Sequence, residues 1–148
     1  MADKSVLTGE DFYLAYSDDG GTTKTPVPGW RRFNPGMTYN EINTEAAGDA
    51  IGTGKPGRLM TNPDLMILHD TSNATAIGAF RDAWLGKTSL QIYWAEKNEV
   101  GQPLFGLSMY VMDFNISYED QKEQEINIKL KPADPNWVAD PSSATLTA

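Results

Sequence analysis

Cysteine is absent from the chain, and histidine occurs once, as His69. The first absence excludes disulfides and thiolate metal sites and leaves the redox compartment unreadable. The second leaves histidine-centred nucleophilic catalysis without a partner pattern, so His69, beside capping residues at a strand end, reads as structural. Basic residues are scarce too: 12 Lys and Arg stand against 20 Asp and Glu, a net charge of −8. Affinity for a phosphate backbone comes from clustered Lys and Arg, and the only adjacent basic pair is Arg31–Arg32. Such a chain stays dissolved and repels nucleic acid wherever its negative charge concentrates. No apolar run approaches the roughly 20 residues that span a bilayer, and the opening MADKSVLTGED lacks the apolar core of a secretory signal. The expectation is a soluble protein made in a cytoplasm, with no membrane partner.

What remains is ordinary globular material: 148 residues, 40% hydrophobic and 22% charged, enough for one domain with a real core. Three stretches hint at chemistry and fail for stated reasons. Ser17 to Gly21, SDDGG, lacks the EF-hand spacing and its closing Glu, so it reads as a turn. GTGKPG, from Gly52 to Gly57, puts Pro56 where a phosphate-binding loop needs a hydroxyl, and no helix signal follows. Adjacent carboxylates such as Glu119 with Asp120 are solvated turn residues, whereas glycosidase chemistry needs two held on opposite sides of a bond. No catalytic residue, cofactor site or metal site is expected, and the chain is read as not an enzyme.

The organising unit is Asn73 to Ala95, NATAIGAFRDAWLGKTSLQIYWA. Ile77, Phe80 and Trp84 recur at helical steps on one face, with Arg81 and Asp82 left to water. Asp70, Thr71, Ser72 and Asn73 can cap its start, and Gly86 sits where a left-handed C-terminal cap is needed. Gly78 inside the helix suggests a close backbone approach. After Gly86 the period becomes alternating, with Leu90, Ile92 and Trp94 on one side, so the helix covers one face of a sheet.

The remaining segments are strands. Val6 to Tyr16 alternates through Phe12, Leu14 and Tyr16; a short strand surrounds Trp30 to Phe33; Arg58 to His69 is broken at Asn62–Pro63. Leu65 and Ile67 oppose Met66 and Leu68, so that strand is expected to be covered on both sides. In Leu104 to Tyr118, Phe105, Leu107 and Met109 share one parity, while Tyr110, Met112, Phe114, Ile116 and Tyr118 share the other. Such a one-residue slip calls for a bulge. Glu119 to Gln124 turns the chain back, and Ile126, Ile128 and Leu130 alternate cleanly to Pro132. Residues 133–148 read as a C-terminal tail that packs through Trp137 and then frays. The sum is a single domain over 1–148, mainly β with one α-helix: an antiparallel β-barrel or sandwich covered by that helix.

Two neighbouring segments do not suit a monomer. Thr38 to Ala46, TYNEINTEA, is polar on both faces, which places Tyr39 and Glu41 on an edge, a lumen lining or a subunit contact. Next come Ala47, Gly48, Asp49, Ala50, Ile51, Gly52, Thr53, Gly54, Lys55, Pro56 and Gly57, with four glycines and a lone large apolar residue. This is either a flexible loop or an arm that orders against a neighbouring subunit through Ile51; loops of this length in compact domains are functional or disordered.

The order of elements in AIGAFRDAWLGKTSLQIYWAEKNEVGQPLFGLSMYVMDFNISYEDQKEQEINIKLKP resembles the second half of the tail tube proteins of long-tailed bacteriophages, which are similar in fold to the tube protein of type VI secretion systems. A helix ending in W-L-G feeds a strand, then come a hairpin, a long strand, an acidic turn and a last strand ending in Lys-Pro. The residues at 47–57 occupy the place of that family's inter-subunit loop. The resemblance implies a structural subunit of stacked, six-membered rings forming a hollow tube in the virion tail. It also implies assembly in the host cytoplasm, partners among tape measure, tail tip and terminator proteins, and genomic DNA passing through the lumen without specific binding. Two other readings stay open: a secretion-system tube subunit, and a monomeric β-sandwich carbohydrate-binding module using Tyr39, Trp84, Trp94 or Trp137 as platforms.

Overall fold

The computed structural model describes residues 12–69, 72–117 and 124–147. The expected strand residues before Phe12, the caps Asp70 and Thr71, Tyr118, and residues 119–123 of the expected Glu119–Gln124 turn lie outside them. Among the described residues, nine strands and one helix follow in the order β1 (Tyr13–Ser17), β2 (Thr25–Pro26), β3 (Trp30–Asn34), β4 (Thr38–Asn43), β5 (Gly54–Met60), β6 (Asp64–Leu68), α1 (Ala74–Gly86), β7 (Ser89–Ala95), β8 (Phe105–Ser117) and β9 (Glu125–Pro132). Seven strands form one antiparallel sheet in the order β2-β1-β7-β8-β9-β6-β3.

The sheet curls without closing. Its interior face collects Leu14, Tyr16, Leu65, Ile67, Leu90, Ile92, Trp94, Leu107, Met109, Ile126, Ile128 and Leu130, all buried, as period-two patterning dictates. The two edges approach through aromatic rings, Phe12 lying 5.2 Å from Trp30 and 5.8 Å from Phe33 between centroids. No ladder joins β1 to β3 among the described residues, so the expected choice between barrel and sandwich resolves to an open, sandwich-like sheet. The helix packs on β7 and β8, with Phe80 fully buried 5.7 Å from the Tyr16 ring.

Three details of the helix differ from the sequence expectation. Its buried stripe is Ala76, Ile77, Phe80 and Ala83; Trp84 lies one step off, 40% exposed and stacked on Phe114 at 6.1 Å. The left-handed C-terminal position is Lys87 (φ 55), Gly86 being the last helical residue. Gly78 has open space around it, the nearest atom to an added Cβ being the Arg81 guanidinium at 3.7 Å. Gly78→Ala therefore removes backbone freedom from the unfolded chain at no steric cost. A gain of ~1 kcal/mol, read as a melting-point rise of about 3 °C, is expected by differential scanning calorimetry.

At the helix start Asn73 makes no side-chain cap bond. Fully buried, it donates from Nδ2 to the carbonyls of Pro28 (3.1 Å) and Leu68 (2.6 Å), tying the helix to the β2–β3 connection and to the end of β6. The opposing backbone is Gly29 at φ +76, where a Cβ would meet Asn73 Nδ2 at 2.5 Å and the Leu68 carbonyl at 3.0 Å. Asn73→Ala strands two carbonyls and leaves a void; a loss of ~3 kcal/mol is expected in urea denaturation.

The phase slip in the long strand is real. Val111 pairs with Leu130 and Asp113 with Lys129, leaving Met112 as the extra residue of a bulge. Buried parity switches from Leu107, Met109 and Val111 before it to Phe114 and Ile116 after it. Tyr110 and Met112, expected with the second set, are exposed instead (42% and 55%), because Tyr110 precedes the slip and Met112 is its extra residue. In β6 only Leu65 and Ile67 are fully buried. Met66 and Leu68 are half-buried, so the expected cover on both sides is missing.

The C-terminal segment does not fray. Residues 133–147 fold back across the exterior face of β7 and β8. Gly106 donates to the Ala139 carbonyl and accepts from Val138 and Ala139, and Leu146 exchanges hydrogen bonds with Gly101 and Gln102. Ala139 and Leu146 seal a second buried cluster with Tyr93, Ala95 and Leu104, so β7 is buried on both faces rather than one. A turn holds the strap in shape: the Asp140 carboxylate accepts from the backbone N–H and hydroxyl of Ser142, bonds that lower its pKa.

Candidate assembly interface

β4 and β5 stand apart as their own two-stranded sheet. Thr38 pairs with Met60 at the base, Tyr39 with Leu59, and after a bulge Glu41 with Pro56, Ile42 with Lys55 and Asn43 with Gly54. Glycine makes this pairing tight. A Cβ on Gly57 would meet the Asn40 carbonyl at 2.9 Å, and the Glu41 and Glu45 carboxylates lie over Gly54 and Gly52. Pro56, lacking an N–H, sits where an isolated ribbon tolerates it.

The ribbon extends beyond the named strands. Thr44 donates to the Thr53 carbonyl at 3.1 Å and the two threonine hydroxyls lie 2.9 Å apart. At the tip Asp49 Oδ2 accepts from the Ala46 N–H at 2.6 Å, and Gly48 takes φ +97. Of the segment expected as a loop, Gly54 to Gly57 is strand, and Ala47 to Thr53 is a turn held by its own hydrogen bonds. Tyr39 and Glu41 lie on β4, as expected, and every residue of β4 is exposed.

The arm is apolar where it should not be. Tyr39 is 62% exposed and Ile51 78%, and Ile42 and Met60 are also open. A lone two-stranded hairpin is marginal in water, and exposed apolar side chains of this number mark a contact surface. Glu45 and Asp49 lie toward the tip and Arg58 toward the base, while Glu41 and Lys55 stand at neighbouring steps midway along the ribbon. Beside the base is a cleft of ≈ 530 Å³, lined by Leu59, Leu107, Pro135 and Trp137 together with Arg58 and Asp134. Thr61 also lines it, and its buried hydroxyl has no hydrogen-bond partner among the described residues. Sequence reasoning missed this cleft, because its apolar wall comes from the strap.

The other polar residues singled out in the sequence are engaged in local contacts. Asp19 accepts from the Ser17 hydroxyl at 2.7 Å and the Thr23 N–H at 3.0 Å, bonds that lower its pKa and close the SDDGG turn. His69 Nδ1 pairs with the Gln124 amide oxygen at 2.9 Å. Trp94 cannot serve as a sugar platform: it is buried, with ring centroids of Phe33 and Phe105 each 5.4 Å away. Trp137 packs on Phe105 at 5.9 Å.

A curled antiparallel sheet with one helix and a projecting ribbon is the class of protein this geometry defines. Solved structures then narrow it. The SPP1 tail tube superposes with a TM-score of 0.70 over 87% of this chain and 77% of that one, at 14% identity. The tail of an empty gene transfer agent particle, refined with C6 symmetry, gives 0.72 over 90% and 98% at 7% identity. The baseplate of the anti-feeding prophage, 6-fold symmetrised, gives 0.61 over 90% and 95% at 9% identity. No protein-family profile matches the chain, and no curated protein matches it. The chain has the fold of these tail and tail tube structures.

Proposed function

We propose that the chain is a structural subunit that self-assembles into stacked rings forming the hollow tail tube of a phage or phage-like particle, through which DNA passes. The observation that carries this reading is the β4–β5 arm, a ribbon with no core of its own and with Tyr39, Ile42, Ile51 and Met60 in water. Burial of these side chains on a neighbour supplies the stabilisation that the isolated ribbon lacks. Tail assemblies with C6 and 6-fold symmetry among the matched structures support rings of six. The contact residues are Tyr39, Glu41 and Ala47 to Gly57, the last now read as one side of the ribbon and its tip. Tape measure, tail tip and terminator proteins are the further partners of such a tube, its place is the virion tail, and assembly occurs in the host cytoplasm.

The exterior face of β8, β9 and β6, open beyond the strap, is available to line the lumen. It carries Asp113, Asn115, Glu125, Asn127, Lys129 and Lys131, a polar surface of mixed sign with no clustered basic patch. Such a wall lets a polyanion pass without gripping it. Negative-stain electron microscopy of the purified protein at high concentration tests the proposal. Rings or hollow tubes are the expected result, and a strictly monomeric particle at every concentration overturns it.

A further inference from the structure

The arm has a tip that needs a socket, and the molecule has a socket that nothing fills. Ile51 is the most exposed large apolar side chain among the described residues. The cleft at the arm base offers the matching surface in Leu59, Leu107, Pro135 and Trp137. We propose that Ile51 of one copy inserts into the Leu59–Trp137 cleft of the next copy around the ring. This rests on the tube reading above and names the receiving surface of its arm.

Three observations select a second copy as the occupant. The arm cannot serve its own cleft, because roughly 20 Å of strand separates Ile51 from Leu59. Charge offers a head-to-tail pair: Glu45 and Asp49 lie near Ile51 at the tip, while Arg58 lines the cleft at the base, with Asp134 on its rim. Finally, tip-to-base contact is heterologous, using a different surface on each partner, and a contact of that kind closes into a ring when its rotation permits. Each subunit then offers one knob and one socket, and a ring leaves none unused.

The absence of cysteine makes the test clean. Ile51→Cys is combined with Asp134→Cys, the latter at an exposed position on the cleft rim, and assembled protein is oxidised and run on non-reducing gels. The expected result is a ladder climbing beyond dimer toward the ring number. Either single variant stops at dimer, since one thiol joins only two chains. In parallel, Ile51→Asp is expected to raise the concentration needed for assembly about tenfold or more, with the melting point of the monomer unchanged. Tubes that form normally while the double variant yields nothing above dimer overturn the socket and leave the tube reading standing. An unchanged assembly threshold in Ile51→Asp does the same. If the parent protein never assembles, the tube reading falls and the socket falls with it.

Discussion

Deleting residues 48–55 is expected to abolish ring and tube formation while leaving the monomer folded. The deletion removes the turn, Ile51, Asp49 and the Lys55 and Gly54 ends of β5, so the ribbon shrinks to a stub near Tyr39 and Leu59. Nothing in the seven-stranded sheet loses a hydrogen-bonded neighbour, because β4 and β5 pair only with each other. The folded core should therefore melt within a few degrees of the parent. Assembly loses the Ile51 burial and its flanking charges at every contact around the ring, and the cost multiplies with ring size. A contact weakened by ~3 kcal/mol is more than a hundredfold per interface. Circular dichroism fixes the first half of the expectation and electron microscopy with light scattering the second. Tubes from the shortened chain would remove the arm from the assembly mechanism.

The second large effect falls on the strap. Gly106 is where residues 138–139 cross β8, exchanging backbone hydrogen bonds with it. A Cβ there would meet the Tyr93 ring at 2.8 Å and the Ala139 Cβ at 2.9 Å. Neither neighbour has room to give, since both belong to the buried exterior cluster. Gly106→Val must lift the strap or displace Tyr93, and a loss of about 3–5 kcal/mol is expected, a melting-point fall of more than 10 °C. Because the strap is lifted first, limited proteolysis should cut the variant within 138–147 under conditions where the parent resists. Equal resistance would mean that the sheet, not the strap, yields.

Much of the frame was legible in the residues because the code there is periodic. Ile126, Ile128 and Leu130 alternate without interruption, and all three are buried. The slip between Met109 and Phe114 announced its bulge, since a strand can change faces only by adding a residue. The arm was marked by what it lacked, a polar strand followed by glycines around one isoleucine. The strap was illegible for the opposite reason. Its buried residues are Ala139 and Leu146, too few and too far apart to form a period, and backbone hydrogen bonds to Gly106 hold it. Trp84 was misplaced because its size outweighed its position; the small residues Ala76 and Ala83 occupy the true stripe. The cleft at the arm base could not be found at all, as it joins β5, β8 and the strap from three distant parts of the chain.

The two outer strands of the large sheet carry a further consequence, for the protein before it assembles. At one side β2 is only two residues long and ends in Pro26, which offers no amide hydrogen to an incoming chain. At the other side β3 is kinked by an irregularity between Trp30 and Arg32 and presents the cations Arg31 and Arg32 to solvent. Short, proline-blocked, bulged and charged edges resist the strand-on-strand stacking that ends in amyloid. Copies of the chain are thereby kept from adhering at random through the large sheet. Under the tube proposal, association is then left to the β4–β5 protrusion, which a correctly oriented neighbour satisfies.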